Sequence, residues 1–235
     1  MAFLGVGLRS DMEQKMFQFE DPKFTGLYVY DTSVENFADQ IPIEIPIPEC
    51  HPHGINILDL DNHDSNNLLR IFIVSHAYTY SDGKTKLGNE EVVIFDFDAV
   101  KKIRVGDFIR VRHPEKMWHL NDVAAISKNS FIVSNWHNDL TDNYPSLLKF
   151  LTILTLDYYR ATSFIEFDDT GKVVSSQFVT SPSKQSNGVL YDRNSKRLFV
   201  NNMMFSQTIV YNFDYNHPEN PPTHIKTIQL NPAFN

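Results

Sequence analysis

His53, Asn121, Asp122 and Asn187 are the side chains whose type and spacing could do chemistry together. The pairs His53-Gly54, Asn121-Asp122 and Asn187-Gly188 each open a short apolar run, INIL, VAAI and VLY, and they recur 68 and 66 residues apart. Amide oxygens, a carboxylate and a backbone carbonyl suit a hard cation such as calcium, whereas zinc or a soft transition metal calls for more His or Cys. Asn-Asp and Asn-Gly pairs are also ordinary turn formers. Recurrence in register is what singles these pairs out. The lone Cys50 supplies neither a disulfide nor a thiolate cluster and reads as a small buried hydrophobe. The acidic loop DLDNHDSNN (59–67) opens like an EF-hand, but His63 occupies the third ligand position and no Gly follows where it must, so it reads as a solvated hairpin turn.

The elements that must position these residues form a repeat. After each opening pair comes a more apolar strand, RIFIVSH (70–76), SFIVSNW (130–136) or RLFVNNM (197–203), each preceded by a polar turn. A third strand closes on an aromatic-Asp pair, Phe97-Asp98, Phe167-Asp168 or Phe213-Asp214, and a fourth, KVVSSQFV or HIKTIQL, follows two of them. Upstream, MAFLGVG and TGLYVYD match the second and third strands of another unit, with Tyr30-Asp31 lying 67 residues before Phe97-Asp98.

A repeated up-and-down unit of four short strands predicts a propeller blade. The expected fold is all-β: a β-propeller of the six-bladed type, here of roughly three and a half blades. It is expected as a single partial domain over 1–235, with a blade part at 1–50 and blades at about 51–115, 116–182 and 183–235, shortened at both ends. First strands of blades line a central channel, which would bring His53, Asn121, Asp122 and Asn187 to one axis. The segment NYPSLLKFLTILTLDYY breaks the repeat and predicts a short helix near 145–156, with Pro145 in its first turn. Such a helix would be a lid, an apolar wall of a site, or a surface touching membrane or lipid particle.

Composition excludes some functions. A 42% hydrophobic, 13% aromatic chain with 18 Phe and 10 Tyr suits strands. A net charge of −8 provides no basic field for nucleic acid. The opening MAFLGVGLRS is too short in its apolar part, and has no basic residue ahead of it, to read as a signal peptide.

HPHGINIL (51–58), HLNDVAAI (119–126), SNWHND (134–139) and SNGVLYDRNSKRLFV (186–200) resemble, in order and spacing, motifs of the paraoxonase/arylesterase family. The resemblance implies a six-bladed propeller with one catalytic and one structural calcium (Ca2+) in its channel, hydrolysing aryl esters or lactones. It matches Asn121 and Asn187 to ligands of the catalytic calcium, and Asp122 and the backbone carbonyl of Ile55 to ligands of the structural one. His53 and His76 match a histidine pair, His53 as general base on the attacking water and His76 orienting it. His137 and the 145–156 helix would form part of the site wall. The family takes further acidic ligands from blades on either side of this stretch, so the chain by itself is expected to be inactive or impaired. The resemblance also implies a small-molecule ester or lactone substrate and an extracellular or membrane-associated setting. A sugar-lactone hydrolase of the gluconolactonase type and a non-catalytic propeller binding module are the competing expectations.

Overall fold

The computed structural model describes residues 1–6, 26–32, 43–48, 50–60, 67–81, 84–117, 119–135, 161–180, 186–202 and 205–230. Among them are fifteen strands, in four sheets whose strands pair in chain order. The first sheet holds β1 (Ala2–Val6), β2 (Gly26–Tyr30) and β3 (Ile43–Pro46). The second holds β4 (Pro52–Asp59), β5 (Leu68–Ser81), β6 (Lys84–Asp98) and β7 (Ile103–Val111). The third holds β8 (Leu120–Ser127), β9 (Ser130–Asn135), β10 (Ser163–Phe167) and β11 (Val173–Phe178). The fourth holds β12 (Ser186–Asp192), β13 (Arg197–Asn202), β14 (Gln207–Asn212) and β15 (Thr223–Gln229).

The expectation of a partial propeller with an inserted helix is corrected by this architecture. The four sheets are open, no strand pairing joins one sheet to another, and no helix occurs among the described residues. The segment expected as a helix, 145–156, lies outside the described residues, as does His137. The repeat encodes a local meander: where strands start, turn and stop. Closure into a ring depends on how successive sheets stack, to which turn chemistry and apolar runs are blind.

The aromatic-Asp endings have a simple cause. Phe97, Phe167 and Phe213 are buried, and the Asp that follows each turns the chain. Asp98 accepts the N–H groups of Val100 and Lys101 at 3.0 and 2.8 Å. Asp168 accepts those of Thr170 and Lys172 at 2.9 and 3.1 Å. Asp214 accepts the Lys196 ammonium at 2.6 Å and the Asn216 N–H at 3.2 Å. These bonds favour the charged carboxylate. They hold Asp98, Asp168 and Asp214 below the usual Asp range, chiefly through the Lys101 N–H, the Thr170 hydroxyl and Lys196 respectively.

The chain divides into two compact units, Met1–Arg110 and Val111–Asn235. In the first, Leu27, Val29 and Ile45 of the first sheet share a buried cluster with Ile71, Val93 and Phe95 of the second. In the second, Ala124, Ile132 and Phe164 of the third sheet share one with Val189, Leu198 and Phe213 of the fourth. Each such side chain stabilises its unit by roughly 1.5–3 kcal/mol when fully buried, less for alanine. Residues 71–75, 91–95 and all of β9 are buried whichever way they point. Burial on both faces explains why their centres, 71–74, 92–95 and 131–133, read as continuous apolar runs. The edge strand β15 is exposed throughout, and carries Lys226. A charge there discourages pairing with another sheet.

Candidate functional site

Each opening pair found in the sequence is a β-bulge. In β4, Pro52 lies opposite Ser75 and Ile55 opposite Ile73, so one residue too many falls at His53-Gly54. In β8, Leu120 faces Asn135 and Val123 faces Val133, which places the surplus at Asn121-Asp122. In β12, Ser186 faces Asn202 and Val189 faces Val200, which places it at Asn187-Gly188. A bulge interrupts the ladder and re-aims a side chain that would otherwise alternate with its neighbours. The residue types have local reasons: a Cβ at Gly188 would lie 2.9 Å from Asn201 Nδ2, and the Asp122 carboxylate accepts two backbone N–H groups.

In the first unit the bulge brings His53 onto His76. The two rings lie with centroids 5.0 Å apart, and His53 Nδ1 is 3.0 Å from His76 Nε2. Behind them stands Glu90, directly across the ladder from His76. His76 Nδ1 is 2.8 and 2.9 Å from the two Glu90 oxygens. The side chains of His76 and Glu90 are 11% and 8% exposed, while His53 at the front is only half-buried. The cluster is therefore graded from a dry carboxylate to an accessible imidazole. The backbone also fixes His76, whose N–H donates to the His51 carbonyl at 3.2 Å. Ile55 follows the bulge, packed against the core of this unit.

In the second unit the opening pairs of the third and fourth sheets meet through Asp122. Its Oδ1 accepts the Val123 N–H at 2.9 Å and its Oδ2 the Val189 N–H at 3.1 Å. Ser134 Oγ accepts the Asp122 N–H at 3.0 Å and donates to the Asn187 carbonyl at 3.2 Å. Burial raises the Asp122 pKa above the usual Asp value, outweighing the two N–H bonds that lower it. Asn121 is buried beside it and Asn187 half-buried. A cavity of about 350 Å³ is lined by Asp122, Gly188, Leu190, Phe199, Asn201 and Thr208.

Of the other titratable groups, Glu91 is fully buried and paired with Arg110, which also donates to the Pro48 carbonyl. Burial pushes the Cys50 thiol up to about 11, which keeps it protonated and unreactive. No group of three or more His, Cys, Asp and Glu side chains converges to hold a metal among the described residues. No helix among them is long and apolar enough to cross a membrane.

The structure thus brings His53 to His76, and Asp122 to the backbone of Asn187-Gly188-Val189. Two partners escaped the sequence reading, Glu90 and Ser134. Neither carries a signal along the chain, because each is set by the register of one strand against another.

No protein-family model matches the chain, and no curated protein matches it. Among solved structures it has a distant likeness to a luciferin-regenerating enzyme, with a TM-score of 0.39 and 10% identity over 74% of this chain and 50% of that one. It has another to a protein from Bacteroides fragilis described as a 6-phosphogluconolactonase, with a TM-score of 0.38 and 9% identity over 92% of this chain and 66% of that one. The chain spans half to two-thirds of the length of these proteins. The likeness does not single out the paraoxonase/arylesterase family, and overlaps of this size carry no argument about fold or reaction.

Proposed function

We propose that the chain carries the general base of a hydrolase acting on small ester or lactone substrates, and that this base is His53. The observation that carries the reading is the 3.0 Å contact between His53 Nδ1 and His76 Nε2, with His53 the more exposed ring. An imidazole is matched to proton transfer near neutral pH. Here His53 takes a proton from water as its oxygen attacks the substrate carbonyl. It then returns that proton to the departing alkoxide or phenoxide as the ester C–O bond breaks. His76, the more buried ring, lies between His53 and Glu90 and is given the positioning role. The motif resemblance to the paraoxonase/arylesterase family supports aryl esters and lactones as the substrate class.

Calcium, which the same resemblance implies, finds a poor donor set in the described residues. Asn121 and Asn187 offer amides, and the single carboxylate, Asp122, already accepts two backbone N–H groups. Calcium takes about 6–8 oxygens, with affinity set by carboxylate count. These residues do not fit a tight calcium site, and the chemistry above is that of the chain's own imidazoles.

Phenyl acetate and δ-valerolactone, with and without a chelator, test the reading. Replacing His53 by Gln lowers turnover by about 10²–10⁴-fold. Equal, measurable rates for the wild-type chain and H53Q would refute it. Preference for a sugar lactone over the aryl ester would move the substrate class without moving the base.

A further inference from the structure

We infer that Glu90 is a positioning residue that sets the tautomers of both imidazoles and so places the reactive lone pair on Nε2 of His53. The inference rests on the reading of His53 as a base but is decided separately from it.

Donors and acceptors fix the order of the hydrogens. An ionised carboxylate can only accept, so the two short contacts from Glu90 to His76 Nδ1, 2.8 and 2.9 Å, require that nitrogen to carry a hydrogen. A neutral imidazole has one N–H, which leaves His76 Nε2 with a lone pair. The 3.0 Å contact from that atom then requires His53 Nδ1 to be the donor. His53 Nε2, the remaining ring nitrogen, is then the unprotonated one and carries the in-plane lone pair. Glu90 thereby decides, through two rings, which atom of the more exposed histidine can accept a proton.

The same chain accounts for the charge. When His53 Nε2 takes a proton from water, its Nδ1 hydrogen can pass to His76 Nε2. The positive charge then rests on an imidazolium that already donates to a buried carboxylate. Protons balance throughout: one is gained at Nε2, one moves between the rings, and Glu90 stays ionised. A buried carboxylate partner stabilises this imidazolium more than water-exposed pairing would.

Gln at position 90 keeps the size and can donate as well as accept. It is expected to donate to His76 Nδ1, push the His76 hydrogen to Nε2, and so leave His53 Nε2 protonated and unable to act as base. A carboxylate-to-amide change behind a catalytic imidazole is known to cost on the order of 10⁴ in rate through the wrong tautomer.

Imidazole ¹⁵N chemical shifts at pH 8, assigned with H53Q and H76Q, provide the test. The wild-type chain is expected to show hydrogen on Nδ1 of both rings and a bare Nε2 on His53. E90Q is expected to reverse both tautomers, and Glu90→Asp to restore the wild-type pattern. A wild-type spectrum with hydrogen on His53 Nε2, or with both nitrogens of His76 protonated, overturns the inference. So does a folded E90Q with unchanged tautomers. The wild-type spectrum decides the assignment even where E90Q does not fold. Hydrolysis unchanged in H53Q, with the expected tautomers in the wild-type spectrum, would sink the general-base reading and leave the Glu90 assignment standing.

Discussion

Replacing Asp122 by Ala removes the carboxylate that ties the third sheet to the fourth. Two backbone N–H groups lose their acceptor, those of Val123 and Val189, at 2.9 and 3.1 Å. A hydrogen bond to a charged group contributes roughly 1.5–3 kcal/mol, and a buried donor left unmet costs about 1–3 kcal/mol. Two features reduce the sum. Asp122 lines a cavity of about 350 Å³, so water can reach the freed Val189 N–H. The substitution also removes a carboxylate whose ionised form burial disfavours. The expected net loss is about 2 kcal/mol of stability, with Asp122→Asn, which keeps one acceptor, losing about half as much. Urea unfolding followed by fluorescence, with equal slopes for the variants, measures it. A loss under about 0.5 kcal/mol for D122A would refute the claim that this carboxylate joins the sheets.

The same residue has a pH signature: its folded pKa lies above the unfolded value of about 3.9. The folded chain therefore binds more protons in that window, and the Asp122 contribution to stability falls as pH rises through it. Subtracting D122A from wild type should give a negative slope just above pH ~3.9, and a positive slope would contradict the burial argument. Asp98, Asp168 and Asp214 act with the opposite sign, their contribution being lost as pH falls below about 3.9. Gly26→Ala should prevent folding of the first unit or cost more than about 3 kcal/mol. A Cβ there would lie 2.1 Å from the Ile45 carbonyl oxygen at a φ of +148°, and near-wild-type melting of G26A would show the backbone to be otherwise. Cys50 should resist a disulfide reagent at pH 8 until urea unfolds the first unit, and fast labelling of native protein would contradict its burial. Calcium calorimetry should show no binding tighter than about millimolar, and submicromolar binding would mean that the chain holds a richer donor set than Asn121, Asp122 and Asn187.

Much of the strand layout was legible because it rests on local chemistry. Phe97-Asp98 and its two counterparts could be seen to end strands, since one residue fills a core while the next caps a turn. The opening pairs were visible as a recurrence, but not as bulges, because an extra residue shows only when a partner strand is counted against it. Glu90 shows the limit most clearly. An unbroken ladder running back from the Ser81–Lys84 pair would set Asn89 opposite His76, and a one-residue shift between His76 and Tyr78 brings Glu90 there instead. Because strand faces alternate, that shift decides whether a carboxylate or an amide meets the imidazole. The sheets were also read as blades of a ring, and that inference failed because meander sequences specify neighbours within a sheet and not the order in which sheets close.

The surplus residue in the first strand of three sheets separates two demands that usually compete. Along a regular strand, changing a side chain on the buried side disturbs packing, and changing the spacing inverts every position that follows. At a bulge the ladder has already stepped aside, so Val123 and Val189 keep their inward places while the preceding positions carry an imidazole in one sheet and amides in the others. Chemistry at His53 and Asn187, both half-buried, can be rewritten by single substitutions with little effect on the hydrophobic interior, whereas Asp122 also ties two sheets together and marks the bulge that must be left as it is.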